Sequence, residues 1–338
     1  MSLVLIATGG TIASTVGADG LATATLSGGD LLSRLPVGAA AGVEVVDVRT
    51  AGSWNLGTTG ALAVAAEVRR AVDAGATGVV VTHGTDVMEE TAWVLELVLQ
   101  DPGVPVVLTG SMQHADALDY DGVANLTDAL LVARSDGAAS RRVSVCMHGE
   151  VHQARWVTKL HATDVGTFAS PQQTPVGRLY DAEASGTPSR GVEWVAAAPP
   201  CPPQVGAQAS ANVPIVVSHW DADPSLVPWH LERGAQGIVV EAGGAGNVND
   251  RLVPGLLEAV RNGIPVVVAS RCRWGRVTPI YGGVGGFGSL ESAGCVASGG
   301  LTAGKARVAL QLLLSAVPDS GHAVDASAQW FAALASST

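Results

Sequence analysis

Of the 338 residues, 47% are hydrophobic and only 14% are charged, a balance that fits a compact globular chain of one large or two ordinary domains and excludes a disordered one. The formal net charge of −11 makes nucleic acid and acidic membrane surfaces poor partners, and no basic tract relieves it. Cys146, Cys201, Cys272 and Cys295 form no C-x-x-C pair, which argues against zinc or dithiol chemistry; they read as buried thiols, with one disulfide left open.

Leu3-Val4-Leu5-Ile6-Ala7 has the composition of a short buried strand. No charged leader precedes it and no apolar run reaches membrane-spanning length, so a cytoplasmic location is expected. The strand runs into Thr8-Gly9-Gly10-Thr11-Ile12-Ala13-Ser14. Two adjacent glycines let the backbone approach a ligand closely, with Thr11 just beyond them. The turn lacks both G-x-G-x-x-G and a P-loop lysine, so it is no nucleotide fingerprint. Residues 14–29 are small and aperiodic, and read as a surface loop that is either a lid or a plain connection. A short helix over 30–35 and a strand over 43–48 come next, then a loop carrying Ser53 and Trp54. Residues 62–74 have the apolar spacing of an amphipathic helix.

The β-branched run Gly78-Val79-Val80-Val81 leads into Thr82-His83-Gly84-Thr85-Asp86, and residues 89–99 then take a helical period. In an open α/β sheet such a strand-to-helix turn lies at the carboxyl ends of the strands, where ligands bind. It sets a hydroxyl, Thr85, beside a carboxylate, Asp86. Thr and Asp ahead of Glu89 and Glu90 would equally make a good helix cap, and the residues alone leave both readings open. Another strand-to-turn unit spans 104–112 and ends on Gly110-Ser111. A helical stretch with Asp121 and Asn125 follows, and then a strand over 143–147.

Lysine usage singles out one more residue. The chain has 19 basic residues, yet its lysines are Lys159 and Lys305 alone. A sequence that writes its other positive charges as arginine has kept lysine where a compact, tunable charge is useful. His83 and His161 read as structural. From 184 to 213 the composition turns to Pro, Ser, Gly and Ala, including Pro199-Pro200-Cys201-Pro202-Pro203, which suggests an interdomain linker with an edge strand near Trp194. A second α/β unit begins at 213. Its Gly-rich loop Gly243-Gly244-Ala245-Gly246-Asn247-Val248-Asn249 either serves a site or merely turns and caps the helix over 252–262, and the glycine-rich stretch around Tyr281 has no clear period.

The two threonine turns together, with the segment around Lys159, resemble the signature motifs of the bacterial-type L-asparaginase family, and the resemblance extends over nearly the whole chain. It implies an α/β fold of two doubly wound domains, a larger N-terminal parallel sheet with crossover helices (1–185) and a smaller C-terminal α/β domain (213–338), joined by a linker (186–212). It implies hydrolysis of the side-chain amide of L-asparagine by Thr11, Thr85, Asp86 and Lys159, without metal or organic cofactor. Gly10 and Gly84 would offer backbone donors, Ser53 the grip on the α-carboxylate, and Ser111 a wall near the leaving group. Trp54 stands where the family often has glutamine. Asn247 or Asn249 would reach the site of a neighbouring subunit in a homotetramer of close dimers. The family's lid tyrosine has no counterpart, since no tyrosine precedes Tyr120; Tyr281 from a partner could supply that phenol. Which threonine attacks first stays open. So do two other classes: an amino-acid-binding protein without turnover, and the ammonia-releasing subunit of a tRNA-dependent amidotransferase. The lack of an extra N-terminal domain and of a basic surface counts against the amidotransferase.

Overall fold

The structure is a computed structural model that describes residues 2–48, 52–184, 187–198, 200–317 and 322–337. The chain divides into two compact units, residues 1–199 and 200–338. That division falls inside the Pro-rich stretch read as a linker, while the expected domain boundary at 185–186 lies outside the described residues.

In the first unit the strands are β1 (Leu3–Ala7), β2 (Ser14–Val16), β3 (Ala22–Ala24), β4 (Val43–Asp47), β5 (Gly78–Thr82), β6 (Val106–Thr109), β7 (Val143–Met147), β8 (Glu150–Gln153), β9 (Thr158–Lys159), β10 (Phe168–Ala169), β11 (Gly177–Ala184) and β12 (Thr187–Trp194). Its helices are α1 (Gly28–Ser33), α2 (Gly57–Asp73), α3 (Met88–Leu99) and α4 (Gly122–Arg134). Eight strands form one sheet in the order β12-β11-β8-β7-β6-β5-β1-β4. β1 and β5 are buried along their whole length, as befits central parallel strands covered on both faces. Leu3, Leu5, Val80 and Val107 from the sheet pack with Leu126, Ala129 and Leu130 of α4 in one core.

The sheet is mixed, not wholly parallel as expected. β4, β1, β5, β6 and β7 run parallel, but β8, β11 and β12 add an antiparallel edge. The reason is local: a parallel neighbour needs a crossover of about a dozen residues, and His148-Gly149 is all that separates β7 from β8. Both residues have positive φ, 49° and 74°, the conformation of a tight hairpin turn. A second difference concerns residues 14–29. β2 and β3 pair as a hairpin, anchored where Ala13 O accepts from Thr25 N and Leu26 N at 2.8 and 2.9 Å. Its small residues alternate too weakly in hydrophobicity to announce a strand.

Strand order places the site. From β1 the chain moves outward to β4, then returns across β1 to β5. The topological switch point therefore lies between β1 and β5, and at their carboxyl ends an open α/β sheet has its ligand crevice.

The second unit has a four-stranded parallel sheet, β13 (Ile215–Val217), β14 (Ile238–Ala242), β15 (Val266–Ser270) and β16 (Val296–Ala297), in sequential order. α5 (Leu226–Glu232), α6 (Val253–Arg261), α7 (Phe287–Ser292), α8 (Ala303–Ala316) and α9 (Ala323–Ser336) accompany it. Val240, Val268, Leu256 and Phe287 lie in its core. Cys146 and Cys295 are free thiols and buried as expected, Cys272 is a free thiol and exposed, and Cys201 is exposed. Among the described residues no helix is long and apolar enough to cross a membrane.

Candidate active site

The two threonine turns meet at the switch point. Gly9 and Gly10 take φ of 85° and 89°, a region that favours glycine, and the chain then enters a single 3-10 turn, Thr11–Ala13. A Cβ on Gly10 would lie 2.4 Å from both Gly84 Cα and Gly84 N. The backbones thus touch glycine to glycine, and each turn presents its threonine one residue later. Thr8 N and Thr8 Oγ1 both donate to Thr82 O, at 3.1 and 2.8 Å, which locks the first turn to the end of β5. His83 N donates to Thr109 O at 2.8 Å and ties the second turn to β6. Thr11 is half-buried and Thr85 buried.

Lys159 reaches this junction from β9. Its Nζ donates to Thr85 Oγ1 at 2.9 Å and to Asp86 Oδ1 at 2.8 Å. Its side chain is 15% exposed, against 52% for Asp86. Thr85 therefore does not spend its hydroxyl on capping: the turn before α3 makes no side-chain cap bond. The sequence reading missed the residue that holds the lysine. Glu89 Oε2 accepts from Lys159 N at 2.6 Å, so the first turn of α3 fixes the backbone of β9. A glutamate in a first helical turn is too common to stand out from sequence.

Ser53 opens a second 3-10 turn, Ser53–Asn55. A Cβ on Gly84 would fall 2.7 Å from Ser53 Oγ, so that hydroxyl lies directly over the second threonine turn. Ser53 is 5% exposed, and its Oγ is buried without a hydrogen-bond partner among the described residues. Such an orphan costs about 1–3 kcal/mol, and it marks where a polar ligand atom would be welcome. Trp54 is 69% exposed and folds its ring back over Gly52, where a Cβ would come within 2.4 Å of the indole.

Gly110 continues the glycine contact, since a Cβ there would lie 2.5 Å from His83 O. Ser111 is fully buried, but its hydroxyl donates to Gln113 O at 2.7 Å and so braces its own loop. Asp121 and Asn125 also went unread as site residues. Asp121 accepts from Met112 N at 3.1 Å and Gln113 N at 2.9 Å, and Asn125 Nδ2 donates to Gly110 O at 3.1 Å. His83 is structural: its ring contacts Gly84 O at 2.7 Å and Thr91 Oγ1 at 3.1 Å, and burial holds its pKa below the ordinary value. His161 is structural too, with Nδ1 accepting from the backbone of Thr163 and Asp164.

The first unit thus gathers Gly10, Thr11, Ser53, Gly84, Thr85, Asp86 and Lys159. Asn247, Asn249 and Tyr281 belong to the second unit. Asn249 uses both ends of its side chain there, donating from Nδ2 to Trp220 O at 2.6 Å and accepting at Oδ1 from Arg251 N at 3.0 Å. Asn247 Oδ1 accepts from Phe287 N at 3.4 Å. Tyr281 is 55% exposed.

Residues 2–189 match the family model for the asparaginase N-terminal domain, and residues 212–325 that for the glutaminase/asparaginase C-terminal domain. A probable L-asparaginase of Deinococcus radiodurans is 37% identical over 93% of this chain and 92% of its own length. A glutamyl-tRNA(Gln) amidotransferase component of Halobacterium salinarum is 34% identical over 96% of this chain and 78% of its own. The crystal structure of a probable cytoplasmic L-asparaginase from Campylobacter jejuni superposes with a TM-score of 0.82 at 28% identity, covering 98% of this chain and 100% of that one. On family matches that take in both units, a close full-length relative and a shared fold, this chain belongs to the asparaginase family.

Proposed function

We propose that the chain is an L-asparaginase that converts L-asparagine to L-aspartate and ammonia through a threonine-bound acyl intermediate. The observation that carries this reading is the Lys159 Nζ contact with both Thr85 Oγ1 and Asp86 Oδ1, 2.9 and 2.8 Å long, beside a Gly10–Gly84 backbone contact that brings Thr11 alongside. A threonine hydroxyl is a weak nucleophile until a base takes its proton. Thr11 Oγ attacks the side-chain amide carbon, its proton passes to the departing nitrogen, and ammonia leaves a β-aspartyl ester on Thr11. Water then attacks the ester; as it gives a proton to Thr85 Oγ1, Thr85, paired with Lys159, passes its own proton on to the departing Thr11 oxygen, so that Thr11 leaves as the free hydroxyl and L-aspartate is released. Backbone N–H groups of the two glycine turns receive the oxyanion, each such donor being worth about 2.7–4 kcal/mol.

Substrate orientation follows from charge. Asp86 gives Oδ1 to Lys159 and keeps Oδ2 for the α-ammonium. Ser53 Oγ, buried and unpartnered among the described residues, meets the α-carboxylate, with Trp54 on the rim and Ser111 bracing the wall behind. In this reading a neighbouring copy brings Asn247 and Tyr281 to the site within a cytoplasmic homotetramer of close dimers. Asn249 is the weaker candidate because its side chain is already engaged at both ends.

The test is ammonia release by the purified protein from L-asparagine and L-glutamine side by side, with Thr11→Ala and Lys159→Met as controls. Release from asparagine that both substitutions abolish supports the proposal; no release from either amide by a folded protein overturns it. A second reading, the ammonia-releasing component of an amidotransferase, is favoured by the 34% identity to the Halobacterium salinarum protein. Release that needs a second protein component and charged tRNA would select it.

A further inference from the structure

We propose that Tyr120 is the positioning residue for the turn that presents Thr11, and that Gly122 is glycine in order to seat it. This rests on the proposed reaction only in taking Thr11 to be the nucleophile. The phenol Oη donates to Ile12 O at 2.7 Å, and Ile12 is the middle residue of the Thr11–Ala13 turn. The neighbouring carbonyls are satisfied nearby: Gly10 O by Ala13 N and Ser14 Oγ, Thr11 O by Ser14 N, and Ala13 O by Thr25 N and Leu26 N. Ile12 is fully buried, and the donor to its carbonyl comes from 108 residues away.

Where the ring can lie is set by the next residue but one, Gly122. A Cβ on Gly122 would fall 2.2 Å from Tyr120 Oη and 2.3 Å from Cζ, so any larger residue at 122 drives the phenol off Ile12. Between the two, Asp121 holds Met112 N and Gln113 N. The same segment clasps the hairpin root, with Ala115 N donating to Ser14 O and Asp116 Oδ2 accepting from Val16 N, both at 2.8 Å. Tyr120-Asp121-Gly122 therefore fixes the Thr11 turn to the Ser111 turn across the crevice. Burial pushes the phenol up to about 12, which keeps it a donor throughout the working range.

Tyr120→Phe keeps the ring and removes the donor; Gly122→Ala keeps the donor and displaces it. Each is compared with the parent in steady-state amide hydrolysis, thermal melting and amide hydrogen exchange. The expected result is a kcat lowered about tenfold or more with KM within about twofold, since misplacing a reacting group costs turnover more than binding. Faster exchange should be confined to the peptides covering residues 10–26, with melting little changed. Unchanged kcat and unchanged local exchange in both variants would overturn the proposal, as would exchange accelerated throughout the first unit. Should the parent hydrolyse neither asparagine nor glutamine, the reaction assigned above fails, and the exchange of residues 10–26 alone then decides the role of Tyr120.

Discussion

Ser53→Ala should make the empty protein more stable and the enzyme worse. Among the described residues Ser53 Oγ is buried with no hydrogen-bond partner, and it lies over Gly84, so the unliganded state carries the desolvation cost of a hydroxyl, about 1–3 kcal/mol, without return. Removing one oxygen leaves too small a void to forfeit much packing. A net gain of about 1 kcal/mol raises the melting temperature of a unit this size by about 2–4 °C. The same hydroxyl donating to a carboxylate makes a charge-assisted bond worth about 1.5–3 kcal/mol, so its loss should raise KM about 10- to 150-fold, with a smaller effect on kcat. Differential scanning calorimetry without ligand and initial rates over a wide asparagine range read the two effects separately. A lower melting temperature would mean that the hydroxyl is satisfied in the empty protein. An unchanged KM would mean that it does not face the substrate, and either result refutes the reasoning.

Lys159→Met should lower kcat by about 10²–10⁴, the usual range for a lost proton-transfer group. Melting should hardly move, because an ion pair whose carboxylate is half exposed contributes under about 1 kcal/mol; a collapse in stability would refute the separation. Glu96→Ala should do the reverse. It strips a buried pair in which Glu96 Oε1 accepts from Arg142 Nε and Nη2 at 3.1 and 2.7 Å, costing about 3–5 kcal/mol in a urea titration, while the surviving folded fraction keeps its turnover. Stability should also fall in acid partly through His83. Burial lowers its folded pKa below the ordinary 6.5, so the unfolded chain binds the proton first, and the contribution present above pH 6.5 is lost as pH falls through the folded value. His83→Gln should flatten the dependence of melting temperature on pH just below 6.5, and an unaltered slope would remove His83 from the account.

What could be read from the sequence was what a short window encodes. β1 and β5 announce themselves because parallel central strands need apolar residues on both faces, and their turns because glycine is needed where φ is positive or backbones touch. Lys159 came from scarcity, and both lysines are indeed withdrawn from solvent, Lys159 at 15% and Lys305 at 1% exposure. The partners of these residues were not legible. Glu89 lies 70 residues from Lys159, and Tyr120 lies 108 from Ile12; each has a sufficient local explanation, a helix first turn or a helix approach. The β2–β3 hairpin escaped for the opposite reason, since it is anchored by Ala13, Ala115 and Asp116 at its root, which its own residues do not announce.

The glycines at the crevice are better understood as one steric unit than as separate turns. Gly10 lies against Gly84, Gly84 against Ser53, and Gly110 against His83 O, each leaving less than 3 Å for a missing Cβ. A side chain added at Gly10 or Gly110 must separate two strand ends, and the neighbouring contact opens with it, because Thr8 and His83 bond the turns directly to β5 and β6. Thr11, the Thr85–Asp86 pair and Lys159 come from separate strands or the turns that follow them, yet the chemistry proposed for them tolerates displacements well under 1 Å. Side chains long enough to span a wider crevice would reach the substrate, but at the cost of rotamer freedom. Close backbone contact lets Thr11, Thr85 and Ser53 act as short side chains with little conformational entropy to lose. On that ground the proposed nucleophile can be threonine at all: a residue with one rotatable bond to its oxygen serves only where the backbone itself has been brought to the reaction.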